Sequence, residues 1–148
     1  MSTWKILGIN HVGLAPKDPA AARTFLGDKL GLAFAGEELV PSQKTNTIMF
    51  ESVSAGLPHQ DQGRLEILEN QPGTDGPIAK FLAKKGSGIH HVAVTVDHCE
   101  AAIADLLAKG VKMIDEAPRP GSHNTRVAFI HPEATGGLLI ELVEQLSN

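Results

Sequence analysis

Four side chains in the 148-residue sequence stand out for the chemistry they could do together: His11, Glu66, His91 and Glu141. Two imidazoles and two carboxylates suit a borderline divalent cation such as Co, Ni, Mn, Fe or Zn. Four protein ligands leave a position open only when the ion is five- or six-coordinate, and an open position is what a catalytic metal needs. The spacing is what singles these residues out. His11 lies in GINHVGL (8–14) and His91 in GIHHVAV (88–94), at the same step of two similar stretches. Leu65-Glu66-Ile67 then recurs as Ile140-Glu141-Leu142 at a similar separation from its histidine. Taken singly, each glutamate reads as a carboxylate on a solvated sheet face. As a repeated pair of pairs, they read as one metal site served by a duplicated module.

Neighbouring side chains of a strand point to opposite faces, so only one member of the His90-His91 doublet can enter such a centre. The repeat aligns His91 with His11 and His90 with Asn10. His91 is therefore the expected ligand, and His90 is left for a helix–sheet or subunit contact. By the same alternation, apolar Leu65, Ile67, Ile140 and Leu142 face one layer while Glu66 and Glu141 face the other.

The elements that must hold these residues follow one order twice. ILGINHVGLA (6–15) reads as a strand ended by Pro16. A helix follows over 17–31, with Asp18 as N-cap, Pro19 at its first position and Gly31 as its stop. LAFAGEEL (32–39), TNTIMFES (45–52) and RLEILEN (64–70) are three strand candidates. GPIAKFLAKKG (76–86) reads as a connecting helix with Ile78, Phe81 and Leu82 on its apolar face. In the second half, GIHHVAVTV (88–96) is the strand and 97–110 the helix, capped by Asp97 or His98 and stopped by Gly110. VKMIDE (111–116), NTRVAFIHP (124–132) and GLLIELVEQ (137–145) are its three further strands. The expectation is an α+β fold in a single domain of residues 1–148, with modules at about 6–70 and 88–146 joined by the helix at about 76–86.

Composition narrows the partners. The formal net charge is −4 with no basic block, which argues against nucleic acid. The chain has no Tyr and one Trp, too little for an aromatic stacking platform. No stretch reaches the length of a membrane span, so no membrane partner is expected. The opening MSTWKILGIN lacks a secretory pattern and Cys99 is the only cysteine, so a cytoplasmic location is expected. Cys99 has no nucleophile–base arrangement and reads as packed or capping. His131, before Pro132, is a candidate for a pocket rim, whereas His59, His98 and His123 carry no special signal.

The stretches INHVGLAPKD, LEILEN, GPIAKFLAKKGSGIHHVAVTVD and FIHPEATGGLLIELVE resemble the vicinal oxygen chelate superfamily (glyoxalase, bleomycin resistance, dioxygenase). Within it they are similar to the methylmalonyl-CoA epimerases, over nearly the whole length. The resemblance implies paired βαβββ modules forming a U-shaped open sheet around a metal site. Its four ligand positions fall on His11, Glu66, His91 and Glu141. It further implies a divalent ion (Co, Mn, Ni, Zn or Mg), an acyl-CoA thioester substrate, inversion at the α-carbon through an enolate, and a homodimer. Catalytic roles then fall on Glu141 and Glu66. Lys80, Lys84, Lys85, Arg119 and Arg126 are candidate contacts for the phosphates of coenzyme A.

One departure bears on the reaction. The family carries a second, non-ligand glutamate after VP, and here VPSQKTNTIMF places Gln43 in that slot, where it can orient substrate but not abstract a proton. The second face of the α-carbon is then served by Glu66, by Glu141 or by a neighbour such as Glu51. Otherwise the chain is a glyoxalase-I-like lyase or isomerase, another enzyme of the superfamily, or a non-catalytic binder of acyl-CoA or a small ligand. The stretch SVSAGLPHQDQGR is also longer than the family's turn and is expected to reshape the pocket mouth.

Overall fold

The computed structural model describes residues 3–52 and 63–147. His59 and most of SVSAGLPHQDQGR, with its expected effect on the pocket mouth, lie outside the described residues. The chain divides into two compact units, a continuous one of His11–His90 and a split one of Met1–Asn10 with His91–Asn148. The boundaries fall inside two strands, β1 (Ile6–Ala15) and β5 (Gly88–Val96).

In the continuous unit, β1 leads through helix α1 (Pro19–Thr24) to β2 (Ala33–Val40), β3 (Thr45–Glu51) and β4 (Arg64–Asn70), with strand order β2-β3-β4-β1. β1 and β4 run parallel, whereas β2–β3 and β3–β4 are antiparallel. Asp18 caps α1 as expected, its side chain accepting from the Ala21 N–H at 3.0 Å, with Pro19 at the helix start. The helix does not stay regular to Gly31. Over Phe25–Lys29 it widens into a π turn, in which the Leu30 N–H donates to the Phe25 carbonyl at 2.7 Å, and Gly31 ends it at φ +91°. Leu26 thereby reaches the sheet and is buried with Ile48, Phe50 and Ile67. Helix α2 (Pro77–Lys85) packs Ile78 on Ala15 and Leu68, on the opposite face of the same sheet.

The start of α2 carries a stability test. Asn70 at the end of β4 ties down the loop, its Oδ1 accepting from the Gly76 N–H at 3.1 Å and its Nδ2 donating to the carbonyl of Thr74 at 2.7 Å. A Cβ on Gly76 would fall 2.7 Å from Asn70 Oδ1 and 3.1 Å from the backbone oxygen of Lys44. Neither atom can yield without breaking the loop or the β3 start. Gly76→Ala is expected to lower stability by about 1–3 kcal/mol, read as a shift in the urea midpoint at unchanged slope.

In the split unit the order is β5-β8-β7-β6, with helix α3 (Cys99–Ala108), β6 (Arg119–Pro120), β7 (Thr125–Ile130) and β8 (Ile140–Gln145). β5 and β8 run parallel, and β8–β7 and β7–β6 are antiparallel. The first half of β1 borders β5, where Asn10 Nδ2 donates to Thr95 Oγ1 at 3.0 Å and the Lys5 N–H donates to Asp97 Oδ1 at 2.7 Å. That contact occupies Asp97, so the α3 cap is His98, whose Nδ1 accepts from the Ala101 N–H. Gly110, at φ +79°, follows the helix end. Cys99, Ala102 and Ile103 of α3 bury against Val96, Met113, Ala128 and Leu142. Burial, then the nearby Glu144 charge, pushes the Cys99 thiol up to about 11, which makes it a packing residue with little thiolate at neutral pH.

The strand expected over VKMIDE does not form. Met113 makes a single bridge to Ile130 and turns its side chain into the core. The chain then folds back on Phe129: Ile114 and Asp115 both donate their N–H to the Phe129 carbonyl, and Asp115 Oδ2 accepts from the Phe129 N–H at 2.8 Å. A carboxylate thus takes the donor that a further strand would have used. Pairing resumes only at Arg119–Pro120. Among the described residues no helix is long and apolar enough to cross a membrane.

Candidate metal centre

Register brings each histidine to its glutamate, and it does so identically in both units. In the continuous unit Gly13 pairs across the parallel β1–β4 ladder with Glu66, and His11 sits two residues earlier on the same face. In the split unit Ala93 pairs across β5–β8 with Glu141, and His91 sits two residues earlier. His11 Nε2 lies 3.5 Å from Glu66 Oε1, and His91 Nε2 lies 3.3 Å from Glu141 Oε1. On its other side Glu66 faces Met49 of β3, and Glu141 faces Phe129 of β7. The Phe129 ring meets the His91 ring edge-on, with centroids 5.5 Å apart.

All four residues are buried, at 4–5% exposure. Their apolar neighbours point the other way, as the alternation requires: Ile67 into the α1 side and Leu142 into the α3 side. A carboxylate taken this far out of water is costly unless opposite charge compensates it, and a neutral imidazole brings none. A divalent cation supplies that charge and accepts both donor types, so the residues present fit a metal. Each unit's buried His/Glu pair thus has metal-binding chemistry, and the ion's identity is not set by the donors.

His90 stacks edge-on against Phe81 of α2 at 5.0 Å, a helix–sheet contact. His131 caps the short 3₁₀ turn Pro132–Ala134, its Nδ1 accepting from the Glu133 N–H at 3.1 Å. Gln43 ends the 3₁₀ turn Pro41–Gln43 between β2 and β3, half-buried, with its carbonyl accepting from Thr45 Oγ1. Glu51 shares the Glu66 face and lies 3.7 Å from Arg64, the residue opposite it. Lys85 leans over the Phe81 ring. Arg126 turns to the α3 side, 3.2 Å from Glu144, which also accepts from the Cys99 N–H. Arg119 instead lies over the Phe129 ring. Thr47 escaped the sequence reading: it is buried on the Glu66 face, its hydroxyl donating to the Glu38 carbonyl, where the split unit has apolar Val127. The only signal for it was the alternation of TNTIMFE.

Comparison with known proteins agrees with this geometry. Residues 10–129 match the family model of the glyoxalase/bleomycin resistance protein/dioxygenase superfamily. The mouse mitochondrial methylmalonyl-CoA epimerase is 35% identical over 140 residues, covering 94% of this chain and 74% of the mouse protein. The crystal structure of methylmalonyl-CoA epimerase from Mycobacterium tuberculosis superposes with a TM-score of 0.87 at 31% identity, over 99% of this chain and 93% of that one. A methylmalonyl-CoA epimerase solved in complex with methylmalonyl-CoA and NH4+ gives 0.85 at 31% identity, over 97% of both chains. The βαβββ order, the matched His/Glu registers and these similarities together carry one conclusion: the chain belongs to the glyoxalase/bleomycin resistance protein/dioxygenase superfamily and, within it, to the methylmalonyl-CoA epimerase family.

Proposed function

We infer that this protein is a metal-dependent epimerase interconverting the two stereoisomers of methylmalonyl-CoA. The observation that carries the reading is the register repeat: in each unit a buried glutamate is paired with a histidine two residues before the small residue opposite it. In this reading His11, Glu66, His91 and Glu141 hold one divalent cation, among Co, Mn, Ni, Zn and Mg, and the chain is one domain of two modules at about 6–70 and 88–146. When bound, the cation supplies a Lewis acid for the thioester oxygen while the α-proton is off.

The chain's own residues do the rest. Glu141, ionised, takes the α-proton from one face while Glu66, entering the step protonated, delivers its proton to the other. Inversion needs a proton carrier on each side of a planar carbon, and the reverse reaction exchanges their roles. Met49 and Phe129, opposite the two carboxylates, keep water from them. Gln43 orients the substrate. Lys80, Lys84 and Lys85 of α2 and its C-terminal turn are the cations assigned to the phosphates of coenzyme A. A homodimer is part of the reading: Ile6, Leu7 and Ile9 are 59%, 63% and 64% exposed, so both faces of the β1 start offer apolar surface to a second copy. A cytoplasmic location is assigned on the lone, buried Cys99.

The test is deuterium wash-in at the α-carbon of methylmalonyl-CoA in D2O with metal-loaded protein, followed by chiral assignment of the product. Wild type is expected to exchange and invert. Gln43→Ala is expected to cost about tenfold or less, because it removes a hydrogen bond and no base, and Gln43→Glu is expected to preserve or raise the rate. Activity appearing only in Gln43→Glu would mean that the natural chain binds its ligand or runs a different reaction.

A further inference from the structure

We propose that Phe129 is a positioning residue for the metal, an inference that rests on the four-ligand reading above. Clamped from behind by Asp115 and Arg119, its ring sets the plane of the His91 imidazole. Register makes Phe129 a neighbour of the ligands. It pairs with Glu141 across β7–β8, and Glu141 pairs with Ala93, two residues after His91. The backbone of Phe129 turns away from β8. Its N–H donates to Asp115 Oδ2 at 2.8 Å, and its carbonyl accepts from the Ile114 and Asp115 N–H groups. Phe129 and Glu141 therefore form the non-hydrogen-bonded kind of antiparallel pair, in which facing side chains come closest.

The contact with His91 gives that neighbour a role. The two rings stand 87° apart with their centroids 5.5 Å from each other. Rotation about the Cβ–Cγ bond of a histidine is soft, with broad minima instead of three staggered wells. Turning the imidazole breaks the edge-to-face geometry that aromatic pairs prefer. An imidazole nitrogen binds a cation along its lone pair, so the ring plane decides whether the ligand is aimed before the ion arrives. Phe129 is itself held on two sides. Asp115 secures its backbone, and the Arg119 guanidinium lies over its ring, 5.6 Å from the centroid. Asp115 Oδ1 in turn lies 3.2 Å from Arg119 Nε, so one carboxylate secures both the peptide and the cation that cover the ring.

At the equivalent register position the continuous unit has Met49, opposite Glu66 across β3–β4. A thioether chain with three rotatable bonds adapts to its surroundings and cannot set a ring plane as a clamped aromatic does. The two His/Glu pairs therefore match in their donors and differ in what the facing strand offers the imidazole. In the split unit that strand presets His91. Residues that orient a metal ligand in this way tune its affinity without touching the ion.

The experiment loads the full-length protein with Co2+, records the visible absorption of the bound ion, and measures its affinity by competition with a chelator. Phe129→Met, which gives the split unit the residue type of Met49, is expected to hold Co2+ about 10-fold more weakly and to change the absorption, a reporter of ligand geometry. Phe129→Tyr keeps the ring and is expected to stay within about threefold of wild type. Asp115→Ala leaves the ring without its clamp and is expected to weaken Co2+ by about 3- to 10-fold. Ile103→Ala, in the α3 cluster, controls for lost stability: its urea midpoint is expected to fall with Co2+ affinity unchanged. Wild-type affinity and absorption in Phe129→Met, or an equal loss in Ile103→Ala, would overturn the positioning role and leave the metal reading intact. If Phe129→Met does not fold, wild-type affinity in Asp115→Ala overturns that role by itself. A wild type that takes up no Co2+ would overturn the metal reading, and this inference with it.

Discussion

Glu141→Gln is expected to abolish epimerisation while the metal stays bound. Gln is isosteric and keeps a carbonyl oxygen as ligand, and the packing of Glu141 between Ala93 and Phe129 does not depend on charge. What Gln lacks is the capacity to accept a proton. Loss of a positioned general base costs typically about 10²- to 10⁴-fold, so inversion is expected to fall by at least about 10²-fold. The stereochemistry sharpens the test. Removing one of two bases stops wash-in only for the stereoisomer whose proton faces the missing carboxylate. Deuterium is therefore expected to enter one isomer and not the other, with Glu66→Gln giving the opposite pattern. Metal content measured on the same samples separates lost base from lost ligand. Near-wild-type inversion by Glu141→Gln would make that residue a ligand only.

His91→Ala is expected to strip the divalent ion, whereas His90→Ala is expected to leave occupancy near wild type. The two side chains are adjacent and chemically identical, so the difference tests the register and nothing else. His91 is buried beside Glu141, and its loss leaves a carboxylate with half of its unit's donor pair. His90 makes its edge-on contact with Phe81, and its removal is expected to cost about 0.5–1.5 kcal/mol of stability. Metal-to-protein ratio after gel filtration, with a urea melt of each variant, reads both effects. His11→Ala is expected to behave as His91→Ala, since His11 stands to Glu66 as His91 stands to Glu141. Equal metal content in His91→Ala and wild type would remove these histidines from the site.

The strands and helices that carry the site were legible because their signals are local. Alternation named the faces of RLEILEN and IELVE, and both came out with Glu66 and Glu141 opposite to Ile67 and Leu142. Repetition singled out His11 and His91, and Asp18-Pro19 marked a helix start that the backbone adopts. Other features depend on contacts between segments remote in sequence. Asp97 and His98 were equal candidates to cap α3 until Lys5, from the other end of the chain, engaged Asp97. VKMIDE has the composition of a strand, yet Asp115 satisfies the Phe129 N–H with a side chain and ends the pairing there. The widening of α1 into a π turn answers to the burial of Leu26 against β3 and β4.

The same distinction separates the two arginines. Arg119 and Arg126 look alike as charges near a late loop, and composition gives no reason to prefer either. A strand's side chains alternate, so one residue of register decides which face each occupies. Pairing of Arg119 with Val127, and of Arg126 with Glu144, sends the first toward the His91–Glu141 face and the second toward α3. By itself the sequence determined which residues have metal-binding chemistry and that they recur, because residue type and period are written along the chain. Only the tertiary structure decided which residue stands opposite each glutamate and which cation shares its face, because register is set by pairing between strands that the chain visits far apart.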